Sequence, residues 1–378
     1  DYRAVFTAAY ELDLWGRVRS ATAASLAELL GQEDARRTVI ISVVSSVAEA
    51  YILLRQYDRQ LQISRQTVQS RRYSYDLAKL RFDEGLTSEL EVAQSLADLD
   101  FAMIQTVQFE RLIPQQENLI SVLIGHPPHA IERGRSVDAW QLPPQIPTGI
   151  PSDLLEQRPD IAQAEKQLKA ANFTIGEARA LYFPEIQLTG YYGNESGELH
   201  RLFTGPGNIW QWMVNVVQPL FTGWRITSTV DLAKAQKQEA VYHYIETVLI
   251  AFKEVDDALI AHKKAKEVVD LQSKRVKDLA VYLHLATLQY DNGLVDYLNV
   301  LDAERRLFEA QLSLAQDQAN VFITLVDVYK SLGGGWVVDA ENLMEVEWSA
   351  HCDFQSPDDN VVEKFLSSTR PNLKSELE

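Results

Sequence analysis

The stretch LRFDEGLTSELEV, Leu80 to Val92, breaks a long helical pattern with a turn, and 208 positions later LQYDNGLVDYLNV, Leu288 to Val300, does so again. The offset holds without gaps for over a hundred residues: Leu12/Leu220, Arg17/Arg225, Val47/Val255, Ala50/Ala258, Leu77/Leu285, Gly85/Gly293, Leu90/Leu298, Ala102/Ala310 and Gly125/Gly333 all match. A register kept that long is an internal repeat. Each copy predicts a strand, a very long helix, a tip and a returning helix that ends at a Gly. In the first copy these cover residues 2–14, 17–82, 83–87 and 88–124; the second copy adds 208. At 1.5 Å per residue the long helix spans about 100 Å, several times the width of a globular domain.

Heptad spacing says what such helices do. Val269, Val276, Leu279, Leu283, Ala286 and Tyr290 fall on alternating steps of three and four, and Leu61, Val68, Tyr75, Ala78 and Phe82 answer them in the first copy, with Ser64 and Arg71 as polar exceptions. Long helices therefore pack side by side. A soluble coiled-coil scaffold without a pore meets the same pattern and stands as the alternative.

Three short segments switch to a period of two. Tyr2, Ala4, Phe6, Ala8, Tyr10, Leu12 and Leu14 oppose Arg3, Thr7, Glu11 and Asp13. Ile186, Leu188 and Tyr192 oppose Glu185, Gln187 and Thr189; Trp210, Trp212, Val214, Val216 and Leu220 oppose Gln211 and Asn215. One apolar face with aromatic ends and one polar face fit transmembrane β-strands beside a water-filled lumen. A sheet packed on a soluble core is the other reading. Three strands cannot close a barrel and lipid does not tolerate open edges, so a barrel has to be shared between subunits. The second copy also carries a helix and strand, residues 151–193, whose counterparts fall before residue 1; about 58 residues of the first repeat are expected upstream.

Composition agrees with a mainly α chain with a small β part. Among 378 residues only 13 are Pro and 17 Gly, while 46% are hydrophobic, enough for a core. A net charge of -17 argues against nucleic acid, which is held by Lys and Arg on phosphates. The best continuous apolar run, Val39 to Val47, is too short for a helical membrane span, a test that says nothing of β-barrels. Catalysis finds no motif: the seven His are scattered, there is one Cys, and neither HExxH nor a phosphate loop occurs. No enzyme activity, cofactor or metal is expected; His126 and His129 read as solvated loop residues rather than a metal pair. The organisation expected is a first repeat over 1–124, a Pro-rich connector over 125–150, a second repeat over 151–336 with Ser152 capping its first helix, and an acidic tail over 337–378. The Gly run at 333–335 reads as a helix stop.

PSDLLEQRPDI (151–161), FPEIQLTG (183–190), QPLFTGWR (218–225), the paired tips and SLGGGW (331–336) resemble the recurring motifs of the outer-membrane efflux ducts related to TolC and OprM, in the lipoprotein subgroup called NodT-like. The resemblance covers residues 1–336. It implies a homotrimer in the outer membrane of a Gram-negative bacterium, with coiled-coil-like hairpins forming an α-barrel through the periplasm and four strands per subunit closing a 12-stranded barrel in lipid. A lipid-bearing N-terminal Cys anchors such proteins. It also implies two partners: a periplasmic membrane-fusion adaptor and an inner-membrane transporter, of RND type, which chooses the exported substrate.

By the same resemblance Gly85, Leu86, Gly293 and Leu294 occupy the tip positions that meet the adaptor, although an ordinary interhelical turn needs the same residues. Asp302 falls on an acidic ring at the periplasmic gate, with Leu298 as an apolar ring beside it. Asn299 stands where some relatives carry a second Asp, which leaves that ring singly acidic. Tyr290 and Glu91 match a network that holds the aperture shut. The Arg of that network is replaced by Val295, so a different latch is expected. Core packing for Tyr290 and a solvated face for Glu91 are the alternatives.

Overall fold

The computed structural model describes residues 1–134, 158–204 and 207–334. Ser152, most of the connector and the 337–378 tail lie outside the described residues. The elements run β1 (Tyr2–Glu11), α1 (Arg17–Asp83), α2 (Glu89–Leu123), α3 (Pro159–Ala180), β2 (Glu185–Ser196), a short 3-10 turn (Leu199–Arg201), β3 (Asn208–Val217), α4 (Arg225–Asp291) and α5 (Tyr297–Ser331). The two long helices have 67 residues each and the two returning helices 35 each, and both pairs are offset by 208.

The returning helices end alike because a Gly takes the left-handed conformation there: Gly125 at φ 75 and Gly333 at φ 85. The following amides reach back to close the last turn, His126 to the Ser121 carbonyl and Gly334 to that of Tyr329. Helix α3 starts with Pro159 in its first turn, where a missing N–H costs nothing. Arg158 just before it is buried and donates to the Ser331 carbonyl at 2.8 Å and to Glu254 Oε2 at 2.7 Å, tying α3 to both helices of the second hairpin.

The core is a string of small clusters along the hairpins, including Ala50, Leu54 and Ile120 in the first, Ile161 with Ala251 and Val255 where α3 meets α4, and Ile63 with Phe308 and Ala315 where the hairpins meet. Frequent alanines, Ala251, Ala303, Ala310 and Ala319 among them, let helix axes approach closely.

Three corrections to the sequence expectations follow. Ser64 and Arg71, read as interruptions of the seam, are 0% and 2% exposed, whereas Phe82 is 41% exposed. The reason is that α1 packs on α2, α3 and α5 together, so one heptad seam does not describe its buried face. The third concerns the bilayer: an 18-residue window of α1 reaches a mean hydropathy of 1.6, long and apolar enough to cross a membrane by composition. Only 28% of that window is buried, although the helix packs on three others, and Val39, Val43 and Val44 stand exposed.

The strands form one antiparallel sheet in the order β1-β2-β3. Register puts like with like: Phe6 pairs with Tyr192 and Tyr192 with Trp210, while Tyr10 pairs with Leu188 and Leu188 with Val214. On the other face Glu11 meets Gln187, Gln187 meets Asn215, and Arg3 lies 3.9 Å from Glu195 and over the Tyr191 ring. Phe6 and Trp212 are 86% and 71% exposed, which in water would be unfavourable for a whole face. At the junction with the helices Trp15 stacks on Phe183 at 4.7 Å and donates to the Pro184 carbonyl at 2.9 Å.

Candidate functional site at the hairpin tips

Both long helices stop the same way. Gly85 (φ 72) and Gly293 (φ 69) are left-handed, and the Leu86 and Leu294 amides reach back to the Arg81 and Gln289 carbonyls at 2.8 and 2.9 Å. A side chain other than hydrogen is strained at that φ. The reversal leaves Leu86 and Leu294 standing 78% and 74% exposed, two apolar knobs at the same end of the bundle.

Just inside the tips the hairpins are joined. Arg81 Nη1 donates to the Tyr290 hydroxyl at 2.9 Å, and that hydroxyl donates to Glu91 Oε2 at 3.2 Å. The Arg81 guanidinium also lies 5.6 Å from the Tyr290 ring centre. Three helices, α1, α2 and α4, thus meet at one phenol. Burial pushes the Tyr290 hydroxyl above its ordinary pKa, reinforced by Glu91 and opposed by Arg81, so it stays a neutral donor. Where Val295 offers Tyr290 no cation, Arg81 on the other hairpin supplies one. Tyr290 also packs at 5.1 Å on Tyr297, beside a cluster of Ala286, Val300, Leu301 and Ala303, so its core-packing and polar roles coexist.

Leu298, Asn299 and Asp302 lie away from that cluster. Leu298 is 54% exposed, and the Asn299 side chain caps back to the Asp296 carbonyl at 3.4 Å. Asp302 is ion-paired with Arg306 one turn on, at 2.8 Å. Arg306 thus offsets the negative charge of Asp302 within the chain.

A buried ionic cluster lies further along the same seam. Arg71 points between the hairpins with its guanidinium 5.2 Å from the Phe308 ring and 5.8 Å from Phe101, and it donates to the Asp98 carbonyl at 2.6 Å. Its Nε and Nη2, Asp98 Oδ2 and Glu304 Oε2 are buried without hydrogen-bond partners. Burial raises the Glu304 carboxyl, opposed by Arg71 and reinforced by Asp98. Sequence reasoning missed Arg71, Arg81, Glu304 and Arg306. Only Arg306 carried a local signal, its i+4 spacing from Asp302.

Among the described residues no group of three or more His, Cys, Asp and Glu could hold a metal ion. His129 Nδ1 sits 2.9 Å from the Pro127 carbonyl and 3.2 Å from Ser121 Oγ.

The profile of the family described as "Outer membrane efflux protein" matches residues 1–126 and 150–334. The probable efflux pump outer membrane protein TtgC of Pseudomonas putida is 38% identical over 329 residues, 87% of this chain and 68% of TtgC. Among solved structures, the CmeC outer membrane channel of Campylobacter jejuni superposes with a TM-score of 0.83 at 27% identity, covering 91% of this chain and 74% of CmeC. The MtrE outer membrane channel of Neisseria gonorrhoeae, solved in its open state, gives 0.79 at 29% identity over 88% and 80%. The scaffold alternative falls with these matches. The chain belongs to the outer membrane efflux protein family, the non-enzymatic outer-membrane channels of efflux pumps in Gram-negative bacteria.

Proposed function

We propose that three copies of this chain form one passive duct, organised in each copy as a repeat over 1–124, a connector over 125–150, a second repeat over 151–336 and an acidic tail. The observation that carries this reading is the sheet. One face is apolar and aromatic, and among the described residues β1 and β3 each keep an unpaired edge. Lipid tolerates such a sheet only when neighbouring strands close it. The tips at Gly85–Leu86 and Gly293–Leu294 dock a periplasmic membrane-fusion adaptor, and an inner-membrane transporter of RND type supplies energy and substrate choice.

The gate is the Arg81–Tyr290–Glu91 junction with Leu298, Asn299 and Asp302 beside it. It stays shut until docking parts the hairpins, a helix shift of the ordinary kind. MtrE in an open state is consistent with such a movement. Protein extracted from outer membranes in mild detergent is expected to run as a trimer and give small channels in planar bilayers. Folded monomer without conductance would overturn this reading.

A further inference from the structure

We propose that copies of this chain join head to tail through an aliphatic seam, α4 of one copy on α2 of the next, in the register that the 208-residue repeat sets. The surface, its register and its chemistry are specific to this seam; that copies share one duct rests on the reading above.

Within one chain the hairpins meet where α1 lies on α5. Ile63 packs with Phe308, Leu312 and Ala315, the Gln60 amide donates to the Leu312 carbonyl at 3.1 Å, and the Arg71 guanidinium lies beside the Phe308 ring. The repeat turns this pair of helices into another: adding 208 carries α1 onto α4, and subtracting 208 carries α5 onto α2. Within the chain α2 and α4 share no packed face. One joint of the repeat is therefore made and its twin is left open.

The open twin keeps the apolar pattern without the cover. Ile63 and Ala315 are 8% and 3% exposed, whereas their counterparts Leu271 and Val107 are both 65% exposed. Gln60 and Leu312 become Val268 and Ile104, which also stand exposed. Large aliphatic side chains in a stripe on both helices are unfavourable in water. Hydrocarbon does not suit them either, because Lys274, Lys277 and Asp278 are exposed along the same stretch of α4. A second copy brings the matching face in the matching register, Leu271 against Val107 and Val268 against Ile104. Such an interface joins two different patches, so it is heterologous and continues from copy to copy until the rotation closes a ring.

The differences between the repeats fit the pairing. Phe308 becomes Asp100, and Thr67, one turn from both Ile63 and Arg71 on the stripe beside Phe308, becomes Arg275. Asp100 and Arg275 are exposed, and neither has an ion-pair partner among the described residues. The seam sets them opposite each other. Arg71 becomes Leu279 and Glu304 becomes Leu96, so the ionic groups buried at the joint within the chain are replaced by leucines at the joint between copies. The two joints thus alternate with unlike chemistry. A hairpin seated at the wrong joint would set Arg71 against Leu96 in place of Glu304, a buried charge without its acid, and this fixes the order of the hairpins.

The test uses the full chain in a Cys352→Ser background, extracted in mild detergent. Oxidation of Leu271→Cys combined with Val107→Cys is expected to give covalent dimers and trimers on denaturing gels, whereas either substitution alone gives none. Leu271→Cys with Leu119→Cys, about 18 Å further along α2, should not crosslink. Arg275→Asp and Asp100→Arg should each lower the share of trimer several-fold, and the double exchange should restore it; both sites are exposed, so each copy still folds. Equal crosslinking through Leu119→Cys, or trimer on size exclusion without crosslinked bands from the Leu271–Val107 pair, overturns the seam and keeps the three-copy reading. Free access of a maleimide to Leu271→Cys in the purified trimer overturns it as well and leaves the face to another protein. A double exchange that does not restore trimer overturns the Asp100–Arg275 pairing. A ladder running past three keeps the seam and removes the closed trimer, and monomer alone on size exclusion overturns both.

Discussion

Arg81 and Tyr290 are 209 residues apart in the chain and meet at 2.9 Å, each on the last turns of one of the two long helices. The contact joins the two repeats at the end where they present their tips, and Glu91 completes it from the returning helix of the first hairpin. A bond placed there resists separation of the hairpins more directly than one elsewhere along the bundle.

Tyr290→Phe keeps the ring against Tyr297 and removes both hydrogen bonds. Bonds to charged partners contribute about 1.5–3 kcal/mol each at most. A net loss of about 2 kcal/mol shifts a closed-to-open ratio by roughly 30-fold. Single-channel recording should show open probability rising by that order in Tyr290→Phe and in Arg81→Met. Unchanged gating in both would show that the junction only packs.

Asp302→Ala leaves Arg306 without its ion-pair partner. Around a shared axis the ring would turn from near-neutral pairs to net positive, and reversal potentials in a salt gradient should move toward anion preference. Asp302→Ala combined with Arg306→Ala should return selectivity toward the wild type. An exposed pair of this kind contributes little to stability, so melting should hardly change.

Gly85→Ala and Gly293→Ala meet no atom within 4 Å, so only the left-handed backbone opposes them, by about 1 kcal/mol each. Leu86→Asp and Leu294→Asp sit at exposed sites and should leave stability within about 0.5 kcal/mol. If the tips dock an adaptor, the Asp variants abolish cellular efflux while the Ala variants lose stability first. Efflux assays beside thermal melts separate the two.

Acid should stabilise the helical body. Burial raises the carboxyls of Glu49, Glu304, Asp317 and Asp327 above the usual carboxylate range. A carboxyl whose folded pKa exceeds its unfolded value adds stability that is complete below the unfolded pKa and is lost as pH rises through the folded one. Urea midpoints should therefore fall as pH rises from the ordinary carboxylate range toward neutrality. Glu304→Gln should gain more at pH 7 than at pH 4.5; an equal shift at both would mean Glu304 does not titrate there.

The sequence by itself determined the repeat, the four long hairpin helices, the two tips and the two faces of each strand. These are written in local spacing: period 3.5 for the helices, period two for the strands, and Gly where φ must be positive. Local spacing reports which face of an element is apolar, and little else is needed to place Gly85 or Gly293, whereas the Phe6–Tyr192–Trp210 row needed the register of the sheet. What only the tertiary structure decided is which polar groups meet across the hairpins. Arg71 looked like a flaw in a seam, yet its stem and guanidinium are buried beside Phe101 and Phe308. Position 295 lacked the expected Arg, yet Arg81 supplies the cation from the other repeat. A charge's partner is set by packing between helices far apart in sequence, and no periodicity within one helix encodes it.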